Sequence, residues 1–474
     1  MLGRMRHIHF VGVGGSGMSG IAEVLANLEY VVSGSDEKAS ATTERLASLG
    51  VAVSIGHAAA NVGHADVVVT STAVRTSNPE VVEAHRRGVP VIPRAEMLAE
   101  LMRMRYAVAV AGAHGKTTTT SMIALALERA GLDPTAVIGG RLRAFGSNAR
   151  LGKTPLMVAE ADESDRSFLK LFPTVAVITN IDYEHLENYG SFDDLQQAFV
   201  DFANKVPFYG AVVCCADDVH LSEAMGRMTR RVTTYGLSAH ADITATDVVY
   251  GPMSVRAVVQ QRTRQADDPA ETLTPLGTLE LHVPGQHNLL NALAAVAVGV
   301  ELDVPFERMD AGLREFRGAE RRFDVRGEPR GILVVDDYGH HPTEIAAVIA
   351  AARQLNRRIL VAFQPHRYSR TQALFDAFGP SFAGAAHVVL TDIYAASEDP
   401  IAGVTAESLA SRMREQLSVP VDVVPTLSDV VPALVRLAQP GDVVITLGAG
   451  SIAHVPDALV SALEAVGTTA GGAA

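Results

Sequence analysis

An apolar run, Val108-Ala109-Val110-Ala111, stops at Gly112-Ala113-His114-Gly115-Lys116-Thr117-Thr118, and a helix-forming stretch from Thr119 to Ala130 follows. No other feature restricts the fold as much. A buried strand that turns through glycines directly into a helix is the repeating unit of a parallel α/β sheet. It also aims backbone N–H groups and a helix N-terminus at one point beyond the strand. That point suits a phosphate, with Lys116 at the terminal phosphates of ATP or GTP and the Thr117 hydroxyl on Mg²⁺. The loop is one residue shorter than the usual P-loop, because Val110 stands where the first glycine is expected.

The same strand–helix alternation runs through the whole chain and predicts an α/β protein of three domains. Residues 1–105 read as a Rossmann-like domain, with strands at Ile8–Val11, Val31–Gly34 and Val67–Ser71. Residues 106–324 read as the P-loop-type ATPase domain, with further strands at Leu156–Ala159 and Val175–Thr179 and a small accessory antiparallel sheet over about 229–283, interrupted by a polar loop near Gln265 to Thr272. Residues 325–474 alternate strands at Ile332–Val335, Ile359–Ala362, Val388–Leu390, Val421–Val424 and Val443–Thr446 with helical stretches, which predicts a second Rossmann-like domain. In such sheets ligands bind beyond the carboxyl ends of the strands, so the residues that follow each strand are the candidates for chemistry.

Composition narrows the class. The 474 residues fit about two to four domains, and a net charge of −13 argues against a non-specific nucleic-acid binder. The only cysteines, Cys214 and Cys215, are adjacent, with no metal-ligand spacing, which predicts a reducing, cytoplasmic setting. Met1 to Phe10 lacks a secretory h-region, and no run approaches the roughly 18 apolar residues of a membrane span, so no membrane insertion is expected.

Gly12-Val13-Gly14-Gly15-Ser16-Gly17 satisfies GxGxxG between a strand and a helix, and Asp36 lies at the end of the next strand. By the dinucleotide rule this pattern fits NAD or FAD; another nucleotide, such as a nucleotide sugar whose diphosphate would use the same turn, and a purely structural turn are the alternatives. Glu160 and Asp162 follow the strand beside the P-loop, where a carboxylate can hold Mg²⁺ or simply cap a helix. His185, in Asn180-Ile181-Asp182-Tyr183-Glu184-His185, is a metal ligand or a packing histidine. His287, Asn288 and Asn291 open an apolar helix, as adenine contacts or as caps. Asp336-Asp337-Tyr338-Gly339-His340-His341-Pro342 is too polar for packing. Arg367 and Arg370, three apart, face one way on a helical start and suit a carboxylate and a transferring phosphate. No Cys/His or Ser/His pair offers a covalent nucleophile.

Taken together these motifs resemble the Mur ligase family of peptidoglycan synthesis, in the family's domain order and over essentially the whole chain. The shortened P-loop is that family's form, with Ala113 in place of the usual threonine. The resemblance implies ATP-dependent amide formation between the lactyl carboxylate of UDP-N-acetylmuramate and L-alanine. The alternative is the recycling member that attaches a whole tripeptide. The resemblance also implies roles. Gly12, Gly14, Gly15, Ser16 and Gly17 would hold the UDP diphosphate, with Asp36, His57 and Ser71 near the uridine. Gly112, Ala113, His114, Gly115, Lys116, Thr117 and Thr118 would bind the ATP phosphates, and Thr117, Glu160 and His185 would bind Mg²⁺. His287, Asn288 and Asn291 would meet the adenine, with Arg322 and Asp337 also at ATP. Tyr338, His340, Arg367 and Arg370 would form the alanine pocket, with His340 near the proton of the attacking amine. Ligases that add later residues carry a modified lysine, for which Ser191 to Gln197 offers no candidate.

Overall fold

The computed structural model describes residues 5–71, 73–142, 144–265 and 268–470. It divides into two compact units. One runs through Val248 and includes Ala257–Glu280 and Leu289–Ala319; the other comprises Val249–Arg256, Leu281–Asn288 and Glu320 onward.

The first unit carries two sheets. Strands β1 (His7–Val11), β2 (Val31–Asp36), β3 (Ala52–Ile55), β4 (Val67–Thr70) and β5 (Val91–Pro93) form a parallel sheet in the order β3-β2-β1-β4-β5. The order reverses at β1, so the turn after β1 opens into the crevice where such sheets bind ligands. Helix Pro79–Arg87 shows how local sequence sets these elements. Asn78 accepts the Glu80 N–H at 2.9 Å, Pro79 pre-sets the first turn, and Gly88 ends the helix in the left-handed conformation at φ 68°. That cap delivers Glu80 into the interior.

The second sheet begins with β6 (Tyr106–Ala111), β7 (Thr135–Leu142), β8 (Ser147–Arg150), β9 (Leu156–Glu160), β10 (Val175–Ile178), β11 (Ala211–Cys215) and β12 (Val232–Tyr235). β6 lies between β10 and β9, all parallel. Their Val, Ala and Ile side chains are buried, as expected for central strands of a covered parallel sheet. Cys214 and Cys215 end β11 in this interior, where burial raises both thiols, Cys215 to about 11. The separate antiparallel accessory sheet expected over about 229–283 is not separate: β12 pairs parallel to β11, and β13 (Ile243–Gly251), β14 (Ser254–Gln265) and β15 (Asp268–Leu281) continue the edge of this same ten-stranded sheet through a parallel β12–β13 bridge, Tyr235 to Ile243. Residues 266–267 of the expected polar loop lie outside the described residues, and strand resumes at once on the far side.

The second unit holds β16 (Asp324–Gly327), β17 (Leu333–Asp337), β18 (Ile359–Phe363), β19 (His387–Leu390), β20 (Val421–Val423) and β21 (Val443–Leu447), in the order β16-β17-β21-β18-β19-β20. All pairs are parallel except the edge strand β16. Two apolar clusters cover its two faces, one around Val335, Phe363 and Phe382, the other around Val334, Leu360 and Leu459. Among the described residues no helix is long and apolar enough to cross a membrane.

Candidate active site

The Gly112–Thr118 loop leaves β6 and enters helix Lys116–Arg129. Gly112 sits at φ 134°, and a side chain there would collide with the Thr179 hydroxyl; Gly115 sits at φ 82°, where a Cβ would lie 2.8 Å from Asn291 Oδ1. Both positions need glycine. The loop is clamped from the end of β10. Asn180 Oδ1 accepts the His114 N–H at 2.8 Å, Asn180 Nδ2 donates to the His114 carbonyl at 3.0 Å, and Thr179 Oγ1 donates to the same carbonyl at 2.6 Å. His114 Nε2 lies 2.9 Å from Asp182 Oδ2. Sequence reasoning gave Asn180 no role. Its position just past the strand beside the P-loop strand was the available signal.

Lys116 Nζ donates to the carbonyls of Gly112 and Ala113 at 2.7 and 3.0 Å and to Glu163 Oε1 at 2.8 Å. Burial works against the ammonium, but Glu163, Asp162 and Glu160 together raise its pKa. Burial lifts Glu163 well above the carboxylate range, against the pull of Lys116. Its second oxygen, Oε2, is buried without a hydrogen-bond partner.

Thr117 Oγ1 donates to Glu160 Oε1 at 3.1 Å, and Glu160 Oε2 accepts the Gly139 N–H at 2.7 Å. His185, with φ 56°, gathers with Glu163 and Glu184, the three offering ligand atoms within 4.8 Å of one another. The expected metal residues thus fall into two neighbouring groups on one strand-end surface: Thr117 with Glu160, and His185 with Glu163 and Glu184. Oxygen donors plus one imidazole, with one buried carboxylate oxygen unpartnered, fit a hard divalent cation such as Mg²⁺.

Asn291, expected at the adenine, accepts the Thr119 hydroxyl at 3.0 Å and so braces the first turn of the P-loop helix. His287 and Asn288 belong to the other unit. Asn288 Nδ2 donates to the Pro284 carbonyl at 2.7 Å, while burial, and secondarily the Arg322 charge, lower His287 to about 4, leaving it a neutral ring.

At the N-terminal sheet the turn after β1 has Gly12 at φ 78°. The Ser35 carbonyl accepts the N–H groups of Gly12 and Val13 at 2.8 and 2.9 Å. Asp36, expected near the uridine, accepts the Gly14 N–H at 2.9 Å, so the turn itself uses its carboxylate. Gly15 caps helix Ser16–Asn27 without any side-chain bond, which leaves that N-terminus to an anion. The Ser16 side chain lies outside the described residues. Ser71 follows β4, and its carbonyl accepts the Val74 N–H at 3.1 Å. His57 follows β3, with Nδ1 3.0 Å from Ser35 Oγ. The expected sugar-nucleotide residues therefore meet at adjoining strand ends.

Two further groups here were not singled out from the sequence. Glu80 is wholly buried and receives four hydrogen bonds. Burial pushes its pKa up, but the bonds from His9, Ser35, Asn61 and the Ala58 N–H outweigh that and bring it to about 2. Arg94 donates to Asp162 Oδ2 at 2.6 Å, and its guanidinium fills the space that any side chain at Gly17 would need. Neither has a local motif; only the fold brings each to its partner.

In the second unit Asp336 pairs with Arg321 Nε at 2.9 Å and accepts the Thr446 hydroxyl at 3.0 Å. Asp337, expected at ATP, accepts the N–H groups of Phe323 and Gly339, both at 2.7 Å, so both its oxygens hold backbone. Burial still pushes it up to about 6, against the Arg322 charge. The Tyr338 ring has the guanidinium carbons of Arg321 and Arg322 each 5.2 Å from its centroid, and the His340 ring edge-on at 5.4 Å. His340 in turn meets the His366 ring, which stacks with Tyr394 at 5.5 Å. Arg370 Nη1 donates to His366 Nδ1 at 3.2 Å, and Arg367, at φ 70°, donates its backbone N–H to the Tyr394 carbonyl. Tyr338, His340 and Arg370 thus share one aromatic and basic cluster, to which His366 and Tyr394 are additions.

Three largely parallel sheets, one with a short P-loop and acidic strand ends beside it, define an α/β protein of the P-loop type, and comparison with known proteins gives its family. The chain belongs to the Mur ligase family: residues 7–106 match the family's catalytic domain, 110–299 its middle domain and 321–450 its glutamate ligase domain. Among curated relatives, UDP-N-acetylmuramate–L-alanine ligase of Geotalea uraniireducens is 54% identical over 465 residues, covering 98% of this chain and 99% of the relative. The enzyme of the same name from Trichlorobacter lovleyi is 54% identical, covering 98% of this chain and all of its own. The crystal structure of UDP-N-acetylmuramate–alanine ligase from Thermotoga maritima superposes with a TM-score of 0.79 at 30% identity, covering 97% and 99% of the two chains. A murein peptide ligase from Psychrobacter arcticus shares the fold, with a TM-score of 0.69 at 24% identity over 97% and 99%.

Proposed function

We propose that this chain joins L-alanine to the lactyl carboxylate of UDP-N-acetylmuramate at the expense of ATP, releasing ADP and phosphate. The observation that carries this reading is the near-complete, 54% identity to enzymes of that name, and a ligand site at the strand ends of each sheet is consistent with it.

A carboxylate is a poor acyl donor. A lactyl carboxylate oxygen attacks the terminal phosphorus, ADP leaves, and an acyl phosphate forms on the sugar. The neutral amine of alanine then attacks the acyl carbon, phosphate leaves, and the nitrogen loses its proton. No side chain forms a covalent bond; the protein positions reactants and stabilises charge. The Gly12–Gly17 turn binds the UDP diphosphate, with Asp36, His57 and Ser71 towards the nucleoside. The Gly112–Thr118 loop binds the ATP phosphates, and Lys116 leaves Glu163 to meet them. Thr117, Glu160 and His185, joined by Glu163 and Glu184, hold Mg²⁺, which supplies charge neutralisation to the phosphates. His287 and Asn288 serve the adenine as a neutral ring and an amide, with Arg322 towards the phosphates. Tyr338, His340, Arg367 and Arg370 receive alanine and the transferred phosphate. The assignment carries with it three functional domains and a cytoplasmic place of action, where ATP and sugar nucleotides are made.

Phosphate release from ATP and Mg²⁺ with UDP-N-acetylmuramate, measured with and without L-alanine, tests the reading. The expected result is alanine-dependent release and a product heavier by one alanyl residue. Release with a tripeptide only would transfer the chain to the recycling activity.

A further inference from the structure

Ser35 ties the two parts of the N-terminal site together. Its carbonyl fixes the glycine turn through Gly12 and Val13, while its fully buried hydroxyl lies between His57 and Glu80. The protons of this cluster can be counted. Glu80 Oε2 accepts the Ser35 hydroxyl at 2.6 Å and lies 3.0 Å from His9 Nε2, and Oε1 accepts Asn61 Nδ2 at 2.8 Å and the Ala58 N–H at 3.1 Å. An ionised carboxylate only accepts, and a serine hydroxyl has one proton to give. That proton goes to Glu80. The 3.0 Å contact between Ser35 Oγ and His57 Nδ1 then closes only if Nδ1 carries the hydrogen, and the 3.4 Å approach of Nδ1 to Glu80 Oε1 demands the same. His57 Nε2 has no hydrogen-bond partner among the described residues, and in a neutral ring protonated at Nδ1 it is the atom that carries the lone pair. The ring is about one-fifth exposed and stands beside Asp36, whose carbonyl accepts the Gly56 N–H at 2.8 Å and whose carboxylate holds Gly14.

We propose that Glu80 and Ser35 are positioning residues that hold His57 in its Nδ1-protonated form, so that Nε2 is a fixed hydrogen-bond acceptor for the base of the sugar nucleotide. Uracil offers an N3–H donor to such an acceptor. Cytosine has a lone pair at the same position and meets it acceptor to acceptor. An acceptor that the bound base covers and leaves opposing another acceptor costs more than a missing contact, so the arrangement selects uridine. The inference rests on the sugar-nucleotide reading of this site and adds to it which proton makes the choice.

UDP and CDP are suitable probes, because both carry the diphosphate and differ only at the base. In the parent chain UDP binds at least about tenfold more tightly than CDP, by competition or calorimetry. Ser35→Ala brings the two within about threefold, raises KM for the sugar nucleotide and leaves KM for ATP in place, whereas Ser35→Thr restores the preference. Long-range ¹H–¹⁵N spectra of the parent chain, with His57 assigned by comparison with His57→Gln, show Nδ1 protonated and Nε2 bare; this readout does not depend on a variant folding. Protonation at Nε2, an unchanged UDP-to-CDP ratio in Ser35→Ala, or no preference in the parent chain would each overturn the inference. The phosphate-release assay, read separately, distinguishes this failure from failure of the ligase reading itself.

Discussion

Glu80, beneath the N-terminal sheet, and Glu163, beside the central loop, are both enclosed carboxylates with opposite acidities. Glu80 has four donors on its two oxygens and titrates near 2. Glu163 has one, the ammonium of Lys116, its other oxygen has none, and burial lifts it well above the ordinary range. At Glu80 the hydrogen bonds outweigh burial, whereas at Glu163 burial, helped by the Asp162 charge, outweighs the pull of Lys116. The difference matches the demands on each region. On the function proposed above, the first site would bind a diphosphate through a turn that must stay as built. The second would need a lysine and a carboxylate that can exchange each other for phosphate and metal, and an incompletely satisfied pair is the easier one to open.

The largest effect expected from this contrast is on turnover. Lys116→Met lowers alanine-dependent phosphate release by at least about a hundredfold, yet costs little thermal stability at neutral pH, because Glu163 takes up a proton instead. A large drop in melting temperature with modest loss of turnover would reverse the roles assigned to the pair. The glycine turns come next. Gly112→Ala, with both a left-handed backbone and a collision with Thr179, destabilises by about 2–3 kcal/mol in urea unfolding. Gly12→Ala, whose nearest neighbour is 3.9 Å away, costs about 1 kcal/mol from backbone strain alone. Equal costs would mean that the two turns are equally tightly built. Gly17→Ala pushes Arg94 from its place and raises KM for the sugar nucleotide about tenfold, roughly 1.4 kcal/mol, with KM for ATP little changed. The smallest effect is in pH dependence. The lowered pKa of Glu80 contributes stability that is present above about 4.5 and lost as pH falls towards 2. The raised pKa of Glu163 works the other way: its contribution is present below about 4.5 and lost as pH rises towards neutrality. Urea titrations of Glu80→Gln and Glu163→Gln should each flatten their own window by about 1 kcal/mol; slopes of the same sign would remove the contrast.

Much of this was legible in the chain. Strand-to-helix turns at Gly12 and Gly112 carry their geometry in local sequence, and the apolar runs before them, with those at Leu156 and Val175, were read as strands, while β7 and β11 were not. The edge strands Ala52–Ile55, Val91–Pro93 and Asp324–Gly327 were not identified as strands, because short edge strands have neither a long apolar run nor strict alternation. At the candidate site, residues carried by a motif of their own, such as Lys116 and Thr117 in the P-loop, were visible. Those that act on other residues were not: Glu80 reaches His9, 71 positions away, and Arg94 reaches Asp162, 68 positions away. Nor could composition show that Asn291 and Asp337 use their polar atoms to brace a helix and a linker, since a helix start and a strand end look the same whether they face a ligand or a neighbour.

The paired thiols of β11 have a practical consequence. Both native sulfurs are held in their protonated form inside a sheet, and a thiol reacts with alkylating probes only as thiolate. The folded chain is therefore silent to maleimide reagents without any engineering. One cysteine introduced at a chosen surface position would be the sole fast-reacting group, and a pair of them would make the chain a ready molecular ruler, its labelled separation read with and without each substrate.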